Sequence, residues 1–243
     1  MIVLFTDFGL EGPYTGQVLA VLQREAPGIP VITLQADAPM GDPFSAAYLL
    51  AAYAPAFPAG SVFLCVVDPG VGGARPPLAV QADGAWFVGP GNGLFELVMR
   101  RAITVAPFVL TWQPPRLGAS FHGRDLFAPV AARLACGAPV PGTAVPRTTL
   151  ARSDWPEDLP AIVYVDRFGN GMTGLRAAVV DSKAVLLCNG HRLSWARTFS
   201  AVPVGTAFWY ENANGLVEIA VNQGRAAEAL GLKIGTRVVR DPP

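Results

Sequence analysis

The 243-residue sequence predicts an α/β protein, in which a Rossmann-like domain built on a parallel sheet precedes a small antiparallel β-barrel. Short apolar strands alternate with segments of helical spacing in the first half, as in βαβ units. Prolines then crowd the stretch between residues 136 and 160, and short strands with Asn-Gly turns follow it. We therefore expect an α/β domain over residues 1–145, a connector over 146–160 and a β-barrel over 161–243.

The predicted elements of the first domain alternate along the chain. Ile2–Phe5 is a continuous apolar run, typical of a buried parallel strand. Tyr14–Glu25 carries apolar residues at helical spacing, and Asp42 is a candidate N-cap for a helix that Pro43 opens. The other predicted elements are strands at Pro30–Leu34 and Ser61–Val67, a hairpin of Leu78–Ala82 with Ala85–Val88, and helices at Pro43–Tyr53, Asn92–Arg100 and Asp125–Cys136.

The second domain is predicted from short apolar runs and turn signals. Asn189-Gly190 and Asn214-Gly215 are typical of two-residue hairpin turns. The predicted strands are Ala161–Val165, Ala184–Leu187, Thr206–Trp209 and Leu216–Ala220, with one short helix at Gln223–Leu230.

Composition narrows the class of function. Acidic and basic residues number 18 each, which removes the electrostatic case for nucleic acid or an anionic membrane as a partner. Three widely spaced cysteines without a CxxC pair indicate a reducing compartment, and two histidines do not make a conventional zinc site. The amino terminus lacks a basic leader, and no apolar run reaches about 18 residues. We expect a soluble cytoplasmic protein without a bound metal.

Two aspartates follow predicted parallel strands at the edge where ligands bind in open sheets. Asp7 comes after the first strand, and Asp68 comes after the strand Ser61–Val67. Either aspartate alone could simply stabilise a turn through its own backbone. Their occurrence at two strand ends favours a binding site there.

The segment DPGVGGAR, residues 68–75, places a carboxylate and a guanidinium seven residues apart. It lacks the Lys-Ser/Thr of a phosphate-binding loop and does not open a helix. Asp68 and Arg75 could form a plain surface ion pair, or orient a small polar molecule in a cleft. His122 stands in a glycine-containing loop just before a predicted helix, whereas His191 follows a hairpin turn and is expected to be exposed.

A further cluster, residues 166–170, follows a strand of the second domain and has the sequence DRFGN. It could be only a tight turn. It could equally supply an anion, an aromatic face and an amide, a set suited to an amino acid and a nucleobase.

Six segments in the same order resemble the S-adenosylmethionine (SAM) hydroxide adenosyltransferases, which share a superfamily with the enzymatic fluorinase and chlorinase. The segments are TDFG (6–9), DPGVGGAR (68–75), GPGNGLF (89–95), FHGRD (121–125), VDRFGN (165–170) and YENANGLVEIAVNQGRAAEALGL (210–232). The resemblance implies hydrolysis of SAM to adenosine and L-methionine, by attack of water or hydroxide on the ribose C5′ carbon. It implies no cofactor, since SAM is the substrate.

The resemblance also implies roles for individual residues. Asp68, Arg75 and His122 resemble the set that holds the attacking water, and Asp7 resembles the aspartate that binds the ribose hydroxyls. In the second domain, Asp166 resembles the carboxylate that meets the methionine ammonium, Asn170 the amide that reads adenine, and Phe199 the ring that stacks on the base. The other expected substrate contacts are Phe8, Asn92, Phe168, Met172, Asn212, Asn214 and Glu218. A homotrimer is implied, with each site between the first domain of one subunit and the second domain of its neighbour.

Two positions depart from the family pattern. Ala213 stands where relatives often carry a serine, and Met172 where they offer an aromatic ring; both changes bear on affinity rather than on reaction type. A halogenase of the same superfamily and a non-catalytic SAM or adenosine sensor are the alternatives. His122 and Arg75 together favour hydrolysis, because a halide pocket needs neutral donors rather than a charged set.

Overall fold

The computed structural model describes residues 1–241, which form two compact units that divide between Asp154 and Trp155. Each unit contains one seven-stranded sheet, so the protein is of mixed α/β class. No helix in residues 1–241 combines the length and the apolar character that crossing a membrane requires.

The first unit contains a sheet with the strand order β2-β1-β3-β5-β4-β6-β7 and helices beside it. Its strands are β1 (Ile2–Thr6), β2 (Val31–Gln35), β3 (Val62–Val66), β4 (Pro77–Ala82), β5 (Ala85–Pro90), β6 (Val105–Leu110) and β7 (Gly142–Ala144). Its helices are α1 (Tyr14–Glu25), α2 (Pro43–Tyr53), α3 (Glu96–Arg101) and α4 (Ala128–Ala135). Strands β2, β1, β3 and β5 are parallel, whereas β4, β6 and β7 pair antiparallel. The sheet is therefore mixed rather than simply parallel.

Several local predictions for this unit are confirmed. Helices α1 and α2 have the predicted bounds, and the Asp42 carboxylate caps α2 by accepting from the Ser45 N–H at 3.1 Å. The predicted hairpin is the β4–β5 pair. Both β1 and β3 are buried along their whole length, as continuous apolar runs predict.

Other predictions for this unit need correction. Strands β6 and β7 were not predicted, since Pro107 interrupts the β6 pattern and β7 is only three residues long. Helix α3 begins at Glu96 rather than Asn92, because the Asn92 side chain holds a turn by accepting from the Leu94 N–H at 3.3 Å. The predicted helix Asp125–Cys136 begins as a π-helical turn at Gly123–Phe127 before α4 continues it.

The second unit contains a sheet with the strand order β14-β10-β11-β12-β13-β9-β8. Its elements are β8 (Leu159–Val165), β9 (Gly171–Arg176), β10 (Leu186–Cys188), β11 (His191–Trp195), β12 (Ala207–Glu211), β13 (Leu216–Val221), α5 (Ala226–Ala229) and β14 (Val238–Arg240). An antiparallel bridge between Ala161 and Arg237 links the chain at β8 to the residues preceding β14, so the sheet nearly closes into a barrel.

Both Asn-Gly segments of the second unit lie in hairpins, β10–β11 and β12–β13, but the loop that contains Asn214-Gly215 spans residues 212–215 rather than two residues. Asn189 and Gly190 adopt φ values of 48° and 81°, as a two-residue hairpin turn requires. The expectation of a wholly antiparallel sheet is wrong at one place, where β11 and β12 pair in parallel. Strand β9 was also not predicted, because glycines at 171 and 174 break its apolar alternation.

Candidate active site

A buried ion pair lies at the carboxyl end of β3. The Arg75 Nε atom is 3.1 and 3.0 Å from the two carboxylate oxygens of Asp68, and Arg75 Nη2 also contacts Asp68 Oδ2. The side chains of Asp68 and Arg75 are only 4% and 10% exposed. The interpretation as a plain surface ion pair is therefore wrong. Burying two charges costs free energy unless both stay paired. The fold keeps this pair buried despite that cost.

The guanidinium of Arg75 also contacts His122, 47 residues further along the chain. Its Nη2 atom lies 3.0 Å from His122 Nδ1. Because a guanidinium only donates hydrogen bonds, Nδ1 must accept, and a neutral ring then carries its hydrogen on Nε2. His122 thus offers an N–H donor at Nε2, on the ring nitrogen that Arg75 does not contact.

The electrostatic environment of His122 favours this neutral form. Burial and the positive charge of Arg75 lower the pKa of His122 from its ordinary 6.5, while the charges of Asp68 and Asp125 act in the opposite direction. The ring is consequently neutral around pH 7, and Arg75 carries the positive charge of the cluster.

Close backbone packing determines the conformation of the loops that carry Asp68, Arg75 and His122. Gly72 has φ +78°, and a Cβ on it would lie 2.7 Å from the Ala119 carbonyl oxygen. A Cβ on Gly123 would lie 2.9 Å from the Phe8 ring. Gly72 lets the loop after β3 approach the loop before α4 closely, which brings Arg75 to His122. Gly123 lets the loop before α4 pack on Phe8, in the loop after β1.

The other predicted residues of the first unit lie near this cluster in the fold. Asp7 follows β1, next to β3, and its carboxylate accepts from the Gly41 N–H at 2.9 Å. Burial raises the pKa of Asp7, and the negative charge of Asp68 adds to the increase. The Phe8 ring packs edge-on against Phe121, with ring centres 5.7 Å apart.

Asn92 has its side-chain amide engaged by the backbone at both ends. Its Nδ2 donates to the Val67 carbonyl at 2.8 Å, and its Oδ1 accepts from the Leu94 N–H. It therefore anchors the end of β3 directly before Asp68.

The second unit contains a cavity of about 760 Å³. All eight residues predicted for substrate binding in this unit line it: Asp166, Phe168, Asn170, Met172, Phe199, Asn212, Asn214 and Glu218. Ala213, where relatives often carry a serine, also lines the cavity. The other lining residues were not singled out from the sequence: Tyr210, Val221, Asn222, Gln223, Gly224 and Arg225. The single cluster of predicted residues indicates one binding cavity in this unit.

The segment 166–170 is both a tight turn and part of the cavity wall. The Asp166 carboxylate accepts from the Asn170 backbone N–H at 2.8 Å and from its Nδ2 at 3.2 Å. Phe168, at the tip of the turn, is 73% exposed, whereas Asn170 is buried. The turn thus presents a carboxylate, an aromatic ring and an amide along one wall.

Glu218 is a buried carboxylate held by three side chains. It accepts from the Tyr210 hydroxyl at 2.5 Å and from Asn212 Nδ2 at 2.8 Å, and Asn170 also hydrogen-bonds to it. Burial raises the pKa of Glu218, and the nearby Asp166 charge adds to this. Two carboxylates in one apolar cavity favour a ligand that carries positive charge.

Aromatic packing fixes the ring of Phe199. It lies edge-on to Phe208 and Tyr210, with ring centres 5.3 and 5.4 Å apart. This ring forms a flat apolar surface of the cavity, suited to stacking on a planar base.

Replacing Gly169 by alanine is expected to lower the free energy of unfolding by roughly 2 kcal/mol or more. Gly169 has φ +85°, and a new Cβ would lie 2.8 Å from the Arg225 Cβ atom. Gly190 is the matched control, since it has φ +81° but no atom within 4 Å of the added Cβ. Urea unfolding measures both variants. Equal losses would show that the contact with Arg225 contributes nothing.

In residues 1–241, no three His, Cys, Asp or Glu side chains gather as a group that could hold a metal ion.

The fold and these two clusters define a two-unit α/β protein with an Asp–Arg–His set in the first unit and a cavity lined by carboxylates and aromatic rings in the second. The profile of the SAM hydroxide adenosyltransferase N-terminal domain matches residues 2–143, and that of the SAM hydroxide adenosyltransferase C-terminal domain matches residues 160–239. The chain therefore belongs to the SAM hydroxide adenosyltransferase family.

Individual relatives and solved structures agree with this family. The chain is 44% identical to a protein of Thermus thermophilus named (R)-S-adenosyl-L-methionine hydrolase, with 98% of both chains covered. A Salinispora arenicola protein of the same name is 39% identical, with 96% of this chain and 94% of that one covered. A crystal structure of an uncharacterized conserved protein from Thermotoga maritima superposes with a TM-score of 0.87 at 27% identity, with 98% of both chains covered.

Proposed function

We propose that this protein is an enzyme that hydrolyses S-adenosyl-L-methionine to adenosine and L-methionine. The observation that carries the proposal is the buried Arg75 guanidinium, which contacts both Asp68 and His122. Family membership and relatives named as SAM hydrolases over nearly the whole chain support it.

In the proposed reaction, oxygen forms a bond to the ribose C5′ carbon while the C5′–S bond breaks. The bonding pair passes to sulfur, which leaves as the neutral thioether of methionine. When water is the nucleophile, one proton is released to solvent; when hydroxide attacks, none is. Because the sulfonium is already an activated leaving group, the proposal requires no cofactor.

We assign the positioning of the nucleophile to Asp68, Arg75 and His122. The Nε2–H of His122 donates to the nucleophile's oxygen, and the positive charge of Arg75 favours hydroxide over water. Asp68 fixes the orientation of Arg75 through its two-point contact. His122 does not take up a proton at Nδ1 in this arrangement, since Arg75 already occupies that ring nitrogen.

We assign substrate binding to Asp7 and to the cavity of the second unit. Asp7 accepts from the ribose hydroxyls, Asp166 meets the methionine ammonium, Asn170 reads adenine, and Phe199 stacks on the base. Phe168 and Met172 add apolar contact, and Asn214 lies beside the amino-acid end. Phe8, Asn92, Asn212 and Glu218 act mainly through the residues that they hold, as their contacts support.

Three broader expectations remain part of the proposal. The four parallel strands support a Rossmann-like first domain, and the bridged sheet supports a barrel-like second domain. Three free cysteines support a reducing, cytoplasmic location.

We also propose a homotrimer in which neighbouring subunits complete each site. Sedimentation will give the oligomeric state. Activity regained on mixing subunits carrying R75M with subunits carrying D166N will support shared sites, and no regain will count against them.

Turnover is expected to persist as the pH falls to 6.5 and to decline only below that value. The neutral form of His122 is required for Nδ1 to accept from Arg75, and the lowered pKa of His122 delays its protonation to more acidic pH. Rates between pH 5 and 8 at saturating SAM will test this prediction. A rate that already halves above pH 6.5 would contradict it.

Incubation with SAM, with and without chloride, tests the proposed function. Because the relatives' names specify the (R) form, the two sulfonium diastereomers should be supplied separately. Adenosine and methionine in both conditions support hydrolysis. A 5′-chlorinated adenosine formed only with chloride would instead support the halogenase alternative, and intact SAM with measurable binding would support a sensor.

A further inference from the structure

The two residues that follow His122 and Gly123 form an ion pair that the proposed reaction does not use directly. Arg124 Nε lies 2.6 Å from Asp125 Oδ1, and Arg124 Nη2 lies 3.1 Å from Asp125 Oδ2. The Asp125 side chain is 15% exposed and that of Arg124 is 36% exposed. The ion pair between these two sequence neighbours is therefore partly buried.

Asp125 holds both ends of the loop that carries His122 through hydrogen bonds. Its Oδ2 accepts from the Gly118 N–H at 2.9 Å, and its own N–H donates to the Phe121 carbonyl at 3.1 Å. A Cβ on Gly118 would lie 2.7 Å from that carboxylate, so only glycine allows this approach. The carboxylate thus closes a loop whose residues include His122.

Arg124 attaches the same loop to helix α1. Its Nη1 donates to the Gln17 side chain at 3.1 Å, and its guanidinium lies 4.9 Å from the centre of the Phe121 ring. Phe121, directly before His122, thus packs against Arg124. A π-helical turn, of the kind that is frequent at functional sites, begins directly after His122 at Gly123.

We propose that Asp125 and Arg124 form a positioning pair, which fixes the loop that carries His122 and keeps the negative charge of Asp125 near the His122 ring. The positions and charges of the pair are independent of the reaction. Its importance for turnover rests on the proposed function.

The charges around His122 come from two segments. Asp68 and Arg75 belong to the loop after β3, with Asp7 acting on Asp68, and Asp125 and Arg124 belong to the His122 segment. The negative charge of Asp125 raises the pKa of His122, and the hydrogen bonds from Arg124 lower the pKa of Asp125. Removing the charge of Asp125 should therefore lower the pKa of His122. Removing Arg124 leaves Asp125 ionised near neutral pH and should change the pKa of His122 much less.

The test is a nuclear magnetic resonance titration of the His122 ring in the variants Asp125→Asn and Arg124→Gln. The chain has only two histidines, so the variant His191→Gln assigns the signals. We expect D125N to lower the His122 midpoint by about half a pH unit, and R124Q to change it much less. Asp158→Asn, which breaks the Arg176 ion pair of the second unit, is the control and should leave the midpoint unchanged.

Each outcome is decisive for the pair. A midpoint that stays fixed or rises in D125N, or that falls as far in R124Q as in D125N, would overturn the proposal, because the last result would show that loosening of the loop alone moves the midpoint. If D125N does not fold, R124Q alone still tests the positioning role, since loss of the contact with Gln17 should reduce turnover while the midpoint changes little. In the pH–rate profile, the acidic limb should shift with each midpoint. A lowered midpoint in D125N, in a protein that never consumes SAM, would contradict the proposed function but not the effect of Asp125 on His122.

Discussion

Replacing Arg75 by methionine is expected to reduce the turnover of SAM by about a hundredfold or more, while the affinity for SAM changes little. Methionine keeps much of the side-chain volume but removes the donor to His122 Nδ1 and the positive charge beside it. The proposed role of Arg75 concerns the nucleophile and not SAM itself. Single-turnover rates and calorimetric binding constants separate the two effects.

The loss of Arg75 also leaves Asp68 as a buried charge without its partner. Breaking a buried ion pair typically costs about 3–5 kcal/mol, so the folded state of the single variant must be verified. The double variant D68N/R75M removes both charges and should recover much of the stability. It should remain as inactive as R75M. Recovery of activity with stability would show that Arg75 acts only through folding, and a loss of SAM binding as large as the loss of rate would make it a binding residue.

Replacing Asp7 by asparagine is expected to weaken the binding of both SAM and adenosine by roughly tenfold to a hundredfold. Asparagine keeps one oxygen that can accept from the Gly41 N–H, so the turn should survive. It loses the negative charge and the second oxygen, which the two ribose hydroxyls need. Titration calorimetry with each ligand provides the measurement.

Two controls distinguish the loss of a ribose contact from a general disruption of the folded protein. Methionine lacks the ribose, so its binding to D7N should equal that of the unmodified protein. Asp154→Asn is a matched surface control in the same unit, since Asp154 is exposed. Unchanged affinity for adenosine in D7N would remove Asp7 from the ribose site.

Local chemistry predicted much of the fold. The Asp42–Pro43 start of α2, the spacing in α1 and the Asn-Gly turn at 189–190 are short-range signals, and each specifies the backbone at its own position. Whether β11 and β12 pair in parallel or antiparallel depends on the path of the chain segment that connects them. Apolar periodicity carries no information on that direction.

In the candidate site, too, local features could be predicted from the sequence and contacts between distant residues could not. Spacing alone could place Asp68 near Arg75, but His122 lies 47 residues beyond Arg75, and only the family resemblance brought it into the set. The tautomer of His122 follows from one contact at Nδ1, which no sequence pattern encodes. Tyr210 was missed because an aromatic residue in an apolar strand is more often a core residue, and only its hydroxyl contact with Glu218 reveals the difference.

The most direct test of hydrolysis at C5′ is to consume SAM in oxygen-18 water and locate the label by mass spectrometry. Attack at C5′ places one oxygen-18 atom in adenosine and none in methionine, and this is the predicted result. Label in a product of the amino-acid side, or adenosine without label, would contradict attack of water on the ribose carbon.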